Sequence, residues 1–159
     1  MSEPTSPAAR EPSPTQRGLV VGAVAGAAVL GLLVGIGRRA GTAWRPINAA
    51  AHGVLGAPAD GVWSYHGSVT PVGGLVVLVM SVAAGFVVAR IVPSRRSSHV
   101  VAAAAGVSLT GYLLHLHVVA RTSGGLAALL SLGELRAMYF VLGVALVAGM
   151  RFAFFDGRE

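Results

Sequence analysis

The chain has 159 residues, of which 54% are apolar and 11% charged, with a mean hydropathy of +0.72, and a water-soluble domain of this size has no place for so much apolar surface. The formal charge of +6 and the pI near 11.3 come from twelve arginines gathered at the ends of apolar runs, where membrane proteins keep their topogenic charge, so nucleic acid is excluded as a partner. The absence of cysteine excludes disulfides, thiolate metal sites and cysteine nucleophiles.

In chain order, residues 1–17 hold four prolines among Ser, Thr and mixed charges, with no aromatic and no Val, Ile or Leu. So little apolar area cannot offset the entropy of ordering the segment, and a disordered tail is predicted. Gly18 to Gly37 are twenty uncharged residues, enough at about 1.5 Å per residue to cross a hydrocarbon core of about 30 Å, and they form the first predicted span. Arg38 and Arg39 follow where a signal peptide would carry small residues for cleavage, so the span reads as an uncleaved anchor. A second span is predicted over 69–92, opening with Thr70-Pro71 and closing at Arg90, Pro93, Arg95 and Arg96. A third is predicted over 100–120, ending at Arg121. The fourth covers 137–155, with Arg151 one turn from its end and able to snorkel to the headgroups, before a short tail over 156–159. Lipid offers the backbone no hydrogen-bond partner, so runs this long must be helical, and the predicted fold class is all-α, an integral membrane four-helix bundle over 18–155.

Two connections are more than linkers. The 31 residues from 38 to 68 space Trp44, Trp63 and Tyr65 among small residues, the composition of interfacial anchors at headgroup depth. Within them Pro46 to Gly56 is predicted as a short interfacial helix lying on the membrane, with Pro46 in its first turn and Gly56 just past its end. Leu126 to Leu135 is too short to span and too apolar for a free loop, and is predicted to lie in the interface or on the bundle. Seven arginines flank the side holding both termini and the 93–99 loop, against five on the other, which places both termini in the cytoplasm; the Arg38-Arg39 pair argues the other way.

Glycine spacing is the clearest local motif. Gly18, Gly22 and Gly26, then Gly31 and Gly35, recur every fourth residue, and Ala102 and Gly106 repeat the step in the third span, so neighbouring backbones can approach closely along these stripes. The stripes serve either packing within one bundle or contact with another chain. Four of five histidines, His52, His66, His115 and His117, fall at similar depth on one side, which makes them the candidate cofactor-binding residues. Residues two apart on a regular helix point in nearly opposite directions, so His115 and His117 cannot face one ion unless the helix is irregular, and no HExxH pair or second axial haem ligand is present; no metal or other cofactor is predicted. Outside the tails the acidic residues are Asp60 and Glu134, both in connections. No carboxylate lies at mid-span for coupled transport, none in the first span for a small dimeric exporter, and no pair is placed for acid–base catalysis, so a non-enzymatic protein is expected.

The stretch Trp44-Arg45-Pro46-Ile47-Asn48-Ala49-Ala50-Ala51-His52-Gly53-Val54-Leu55-Gly56 resembles the aromatic-x-Pro-Leu-Asn-Ala-x-x-His-x-x-x-Gly segment of a family of small four-span bacterial inner-membrane proteins without an established activity, some of which carry symporter-like names. Residues 102–149 are similar to the second half of that family, through Tyr112, His117, Val118, Val119, Arg121, Gly125 and Tyr139. The chain departs from the pattern in having His66 alone before the second span and no acidic residue in the third. The resemblance implies a multi-pass protein of the bacterial cytoplasmic membrane. Together these features lead to an expected accessory or structural protein of the lipid bilayer, a homo-oligomer or a minor subunit of a larger membrane complex. The alternative is a protein that binds a cofactor or small solute through the histidine and aromatic cluster.

Overall fold

The structure, a computed structural model, describes residues 12–92, 97–122 and 124–155. The first eleven residues of the expected tail, residues 93–96, Ser123 and the expected 156–159 tail lie outside the described residues. No strand occurs among those described, and four helices are long and apolar enough to cross a membrane, so this is an all-α multi-pass membrane protein.

The first spanning helix, α1, covers Pro14–Arg39 and begins four residues before the apolar run. Ser13 accepts from the Gln16 amide at 3.2 Å while its own N–H donates to the Gln16 side chain at 2.9 Å, a reciprocal capping box with Pro14 in the first turn. The chain then reverses through Gly41, at φ +89°, and Gly37 lies so close to the Thr42 carbonyl that a side chain there would collide with it. The first connection contains α2 (Arg45–Ala50), α3 (His52–Leu55) and a 3₁₀ turn (Ala57–Ala59). The second span is α4, Thr70–Ile91, and the third is α5, Ser97–Thr122, whose His115–Val119 segment winds as a π-helix. A single turn, α6 (Leu126–Leu129), precedes α7 (Leu132–Phe155). That last helix starts five residues ahead of the predicted fourth span because Ser131 and Glu134 form a second capping box: the Ser131 N–H donates to Glu134 Oε2 at 2.9 Å and the Glu134 N–H to Ser131 Oγ at 3.3 Å.

Helix α1 is the centre of the bundle, with α4 on one side and α7 on the other, while α5 is packed mainly on α7. Small residues permit the two close crossings. A Cβ on Gly22 would enter the Val82 backbone, one on Gly85 would lie 2.6 Å from the Gly18 carbonyl, and one on Gly149 would lie 2.8 Å from the Val21 Cα. Around these crossings Val21, Ala25, Val88, Leu146 and Met150 form one buried cluster, and Val29, Leu33, Ile36, Val77 and Met138 form another toward the connection-bearing end. Leu75, Met80, Val144 and Phe152 point outward, as lipid-facing side chains do where no water opposes their exposure.

The short helix predicted from Pro46 to Gly56 is present as α2 and α3, and its first half is packed against the bundle while Val54 and Leu55 in its second half are exposed. Pro46, Ile47, Asn48, Ala49 and Ala50 are all buried, Ile47 joins the core cluster with Val77, and the Ile47 carbonyl sits against Gly73, where any side chain would displace it. Helix α2 is therefore seated into the end of the bundle. The third connection also lies on the bundle, with Leu130 in the same cluster and Leu126 packed against it.

Candidate functional site

The two connections close over one end of the bundle as a polar cap, and its organising residue is Asn48. Its side chain has no exposed surface, and burying an unpaired amide there would be costly. Every hydrogen-bonding group of that amide is engaged. Nδ2 donates to the Val62 and Ser64 carbonyls, both at 2.9 Å, and Oδ1 accepts from Thr70 Oγ1 at 2.7 Å, which in turn accepts from the His66 N–H at 2.9 Å. One residue of α2 thus fastens the 62–66 segment and the first turn of α4. The Thr42 hydroxyl donates to the Trp63 carbonyl and adds a second tie across the connection.

His52 joins the first connection to the third. Its Nε2 accepts from the Gly124 N–H at 3.3 Å, which assigns the ring proton to Nδ1, and Nδ1 donates to Asp60 Oδ2 at 2.7 Å. Neither ring nitrogen is left to ligate a metal or abstract a proton. The neighbouring backbone must be glycine: Gly125 has φ +70°, and a Cβ there would lie 2.6 Å from the Ala49 carbonyl and 2.7 Å from the His52 Cβ.

The other histidines go elsewhere. His66 shares a hydrogen bond with Ser68 at 3.1 Å in an exposed turn, and His115 shares one with the Tyr139 hydroxyl at 3.1 Å, leaving its Nε2 enclosed and unpartnered. His117 is exposed, so even on the irregular π segment the two histidines differ in surroundings. Among the described residues no group of three His, Asp or Glu side chains is placed to hold a metal ion.

The aromatic residues form a rim around the cap. Trp44, Trp63 and Tyr65 are all exposed; Trp44 meets Tyr65 edge-on with centroids 5.4 Å apart, and the Arg45 guanidinium lies 3.6 Å from the Trp63 centroid. Amphipathic rings and a cation held together at the end of a bundle match the chemistry of a headgroup layer.

The glycine stripe divides. Gly18, Gly22 and Gly26 face α4, where they contact Phe86, Val82 and Leu78, whereas added Cβ atoms at Gly31, Gly35 and Gly106 meet nothing within 4 Å. Gly31 and Gly35 continue an outward strip that begins with Ala23 and Ala27, both exposed, one position round from the inward glycines. Ala102 is exposed on α5.

Sequence reasoning named Asn48 only within a motif and Thr70 only as a helix start, and it missed the Asn48–Thr70 bond, the His52–Asp60 pair and the His52 contact to Gly124. The capping boxes Ser13-x-x-Gln16 and Ser131-x-x-Glu134 carried a readable signal; the Asn48 network carried none beyond an amide in a short helix, because its partners are backbone carbonyls 14 and 16 residues away. No family model, curated protein or solved structure matches this chain.

Proposed function

We propose that this protein is a non-enzymatic membrane subunit that works by lateral association, pairing with a second copy through the outward face of α1. The observation that carries the proposal is the Ala23, Ala27, Gly31, Gly35 strip: four small residues one turn apart on the central helix, with open space at both glycines. In lipid the apolar side chains gain nothing by leaving their surroundings, so helices associate where small residues let backbones approach. The inward glycines are already occupied by α4, which leaves this strip as the surface of α1 shaped for a further helix. The connections support a scaffold role, since both His52 nitrogens and the whole Asn48 amide are engaged in holding the fold. The motif residues shared with the small four-span bacterial family fall on that cap, including Asn48, His52 and Gly56, the last at φ +73°. Placement in the bacterial inner membrane with both termini cytoplasmic follows from that resemblance and the arginine majority.

The chain has no cysteine, so one introduced thiol reports one contact. With Ala27→Cys, oxidation in native membranes is expected to give a covalent homodimer, and adding Gly31→Leu is expected to abolish it. Val79→Cys, on an exposed face of α4, serves as the control. Equal cross-linking at positions 27 and 79 would sink the proposal, as would a dimer that survives Gly31→Leu.

A further inference from the structure

On the other side of the bundle a groove of about 390 Å³ runs between α5 and α7. Its walls are almost wholly apolar, including Val101, Leu109, Phe140 and Val144, while the end nearest the cap carries Tyr112, Tyr139 and Arg136. Helices α5 and α7 touch closely where Gly143 meets Ser108 and Gly111 meets Tyr139. On the open side of these contacts they leave a channel exposed to the membrane. From Tyr112 to Val101 the groove follows eleven helical steps of α5, about 16 Å at about 1.5 Å per step, and one leaflet of a hydrocarbon core is about 15 Å deep.

The polar end is built around a cation. Arg136 is exposed, and its Nε donates to the Tyr112 hydroxyl at 3.4 Å. Among the described residues no carboxylate pairs with it. Its two terminal nitrogens are therefore available, in the planar fork that suits two oxygens of a phosphate, and the Tyr112 hydroxyl retains its own proton to donate. The Tyr139 hydroxyl is turned back to His115, and the Tyr112 and Tyr139 rings meet edge-on at 5.9 Å, which holds Tyr112 at the head of the groove.

We infer that this groove is a binding site for one anionic phospholipid, with the headgroup phosphate on Arg136 and Tyr112 and one acyl chain laid between α5 and α7. The apolar walls alone would take any acyl chain; the unpaired guanidinium at one end, and the match in length to one leaflet, select an amphiphile with a negative head. The site lies away from the α1 strip and does not depend on self-association.

Native mass spectrometry of the detergent-purified protein titrated with dioleoyl phosphatidylglycerol or dioleoyl phosphatidylcholine tests the site. The expected result is one phosphatidylglycerol retained about tenfold more tightly than phosphatidylcholine. Arg136→Gln should erase that preference, Arg136→Lys should keep part of it, and Ala105→Leu, which fills the groove from an exposed position, should weaken both lipids. Far-UV circular dichroism establishes that each variant is folded, and thermal stabilisation by phosphatidylglycerol gives a second reading of the same affinities. Equal retention of the two lipids, unchanged preference in Arg136→Gln, or unchanged binding in Ala105→Leu would each overturn the inference in favour of non-specific annular lipid. Stabilisation by inorganic phosphate equal to that by phosphatidylglycerol would overturn it in favour of a free-anion site.

Discussion

Replacing Asn48 with alanine should open the cap without unfolding the spans. The substitution removes three side-chain hydrogen bonds, to the Val62 carbonyl, the Ser64 carbonyl and the Thr70 hydroxyl. At about 1 kcal/mol net for each, the loss is about 3 kcal/mol. Ser64 is exposed, so its carbonyl recovers a bond to water; Thr70 is buried, so its hydroxyl proton does not, and the two effects act in opposite directions. A loss of about 3 kcal/mol lowers the ratio of closed to open cap roughly 150-fold. Both tryptophans of the chain, Trp44 and Trp63, lie in the cap, so selectively excited tryptophan fluorescence follows the cap alone while circular dichroism at helical wavelengths follows the four spans. In Asn48→Ala the fluorescence transition should move to lower temperature and separate from the dichroic one. If the two transitions stay coincident at the parent midpoint, the Asn48 network does not hold the connection and the reasoning fails. Asn48→Asp is the sharper variant, since it keeps the acceptor for Thr70 but turns a carboxylate oxygen toward two carbonyls, and it should open the cap at least as far.

His52→Leu removes the bonds to Asp60 and to the Gly124 N–H, at about 2 kcal/mol in all once the partial exposure of Asp60 is allowed for, and hydrogen exchange at Gly124 should accelerate roughly 30-fold. Gly85→Ala drives a methyl into the Gly18 and Gly22 backbone and should cost about 1–3 kcal/mol in thermal unfolding, whereas Gly35→Ala, with open space at its Cβ, should leave the monomer as stable or slightly more so. Exchanging their ranks would refute the division of the glycine stripe. Ser131→Ala breaks the second capping box and should fray the first turn of α7 by about 1 kcal/mol, read as faster amide exchange at Glu134 with no change at Ser13.

The four spans were legible because crossing a membrane is a demand on composition and length, and both can be counted along the chain. Their ends were less so. Apolar runs mark where lipid begins, not where the helix stops, and both α1 and α7 extend past them on capping boxes that the residues Ser13, Gln16, Ser131 and Glu134 already encode. The histidines show the opposite case. Similar depth suggests a cluster, yet depth is only one coordinate: the rotation of their helices directs His52 to Asp60 and His115 to Tyr139, while His66, in the turn before α4, meets Ser68 two residues on.

What the residues alone determined is that the chain is helical, that it crosses the membrane four times, and that small residues line its first span, because hydrocarbon length and backbone satisfaction are local demands. Which of those small residues face inward was decided by the tertiary structure. A shift of one residue turns a helical face by about 100°, so Gly22 meets the Val82 backbone while Ala23 looks outward, and only the position of α4 distinguishes them. The cap is likewise a tertiary product: Asn48 finds its carbonyls across a folded connection, and His52 reaches Gly124 across 72 residues, distances over which no periodicity in the sequence extends.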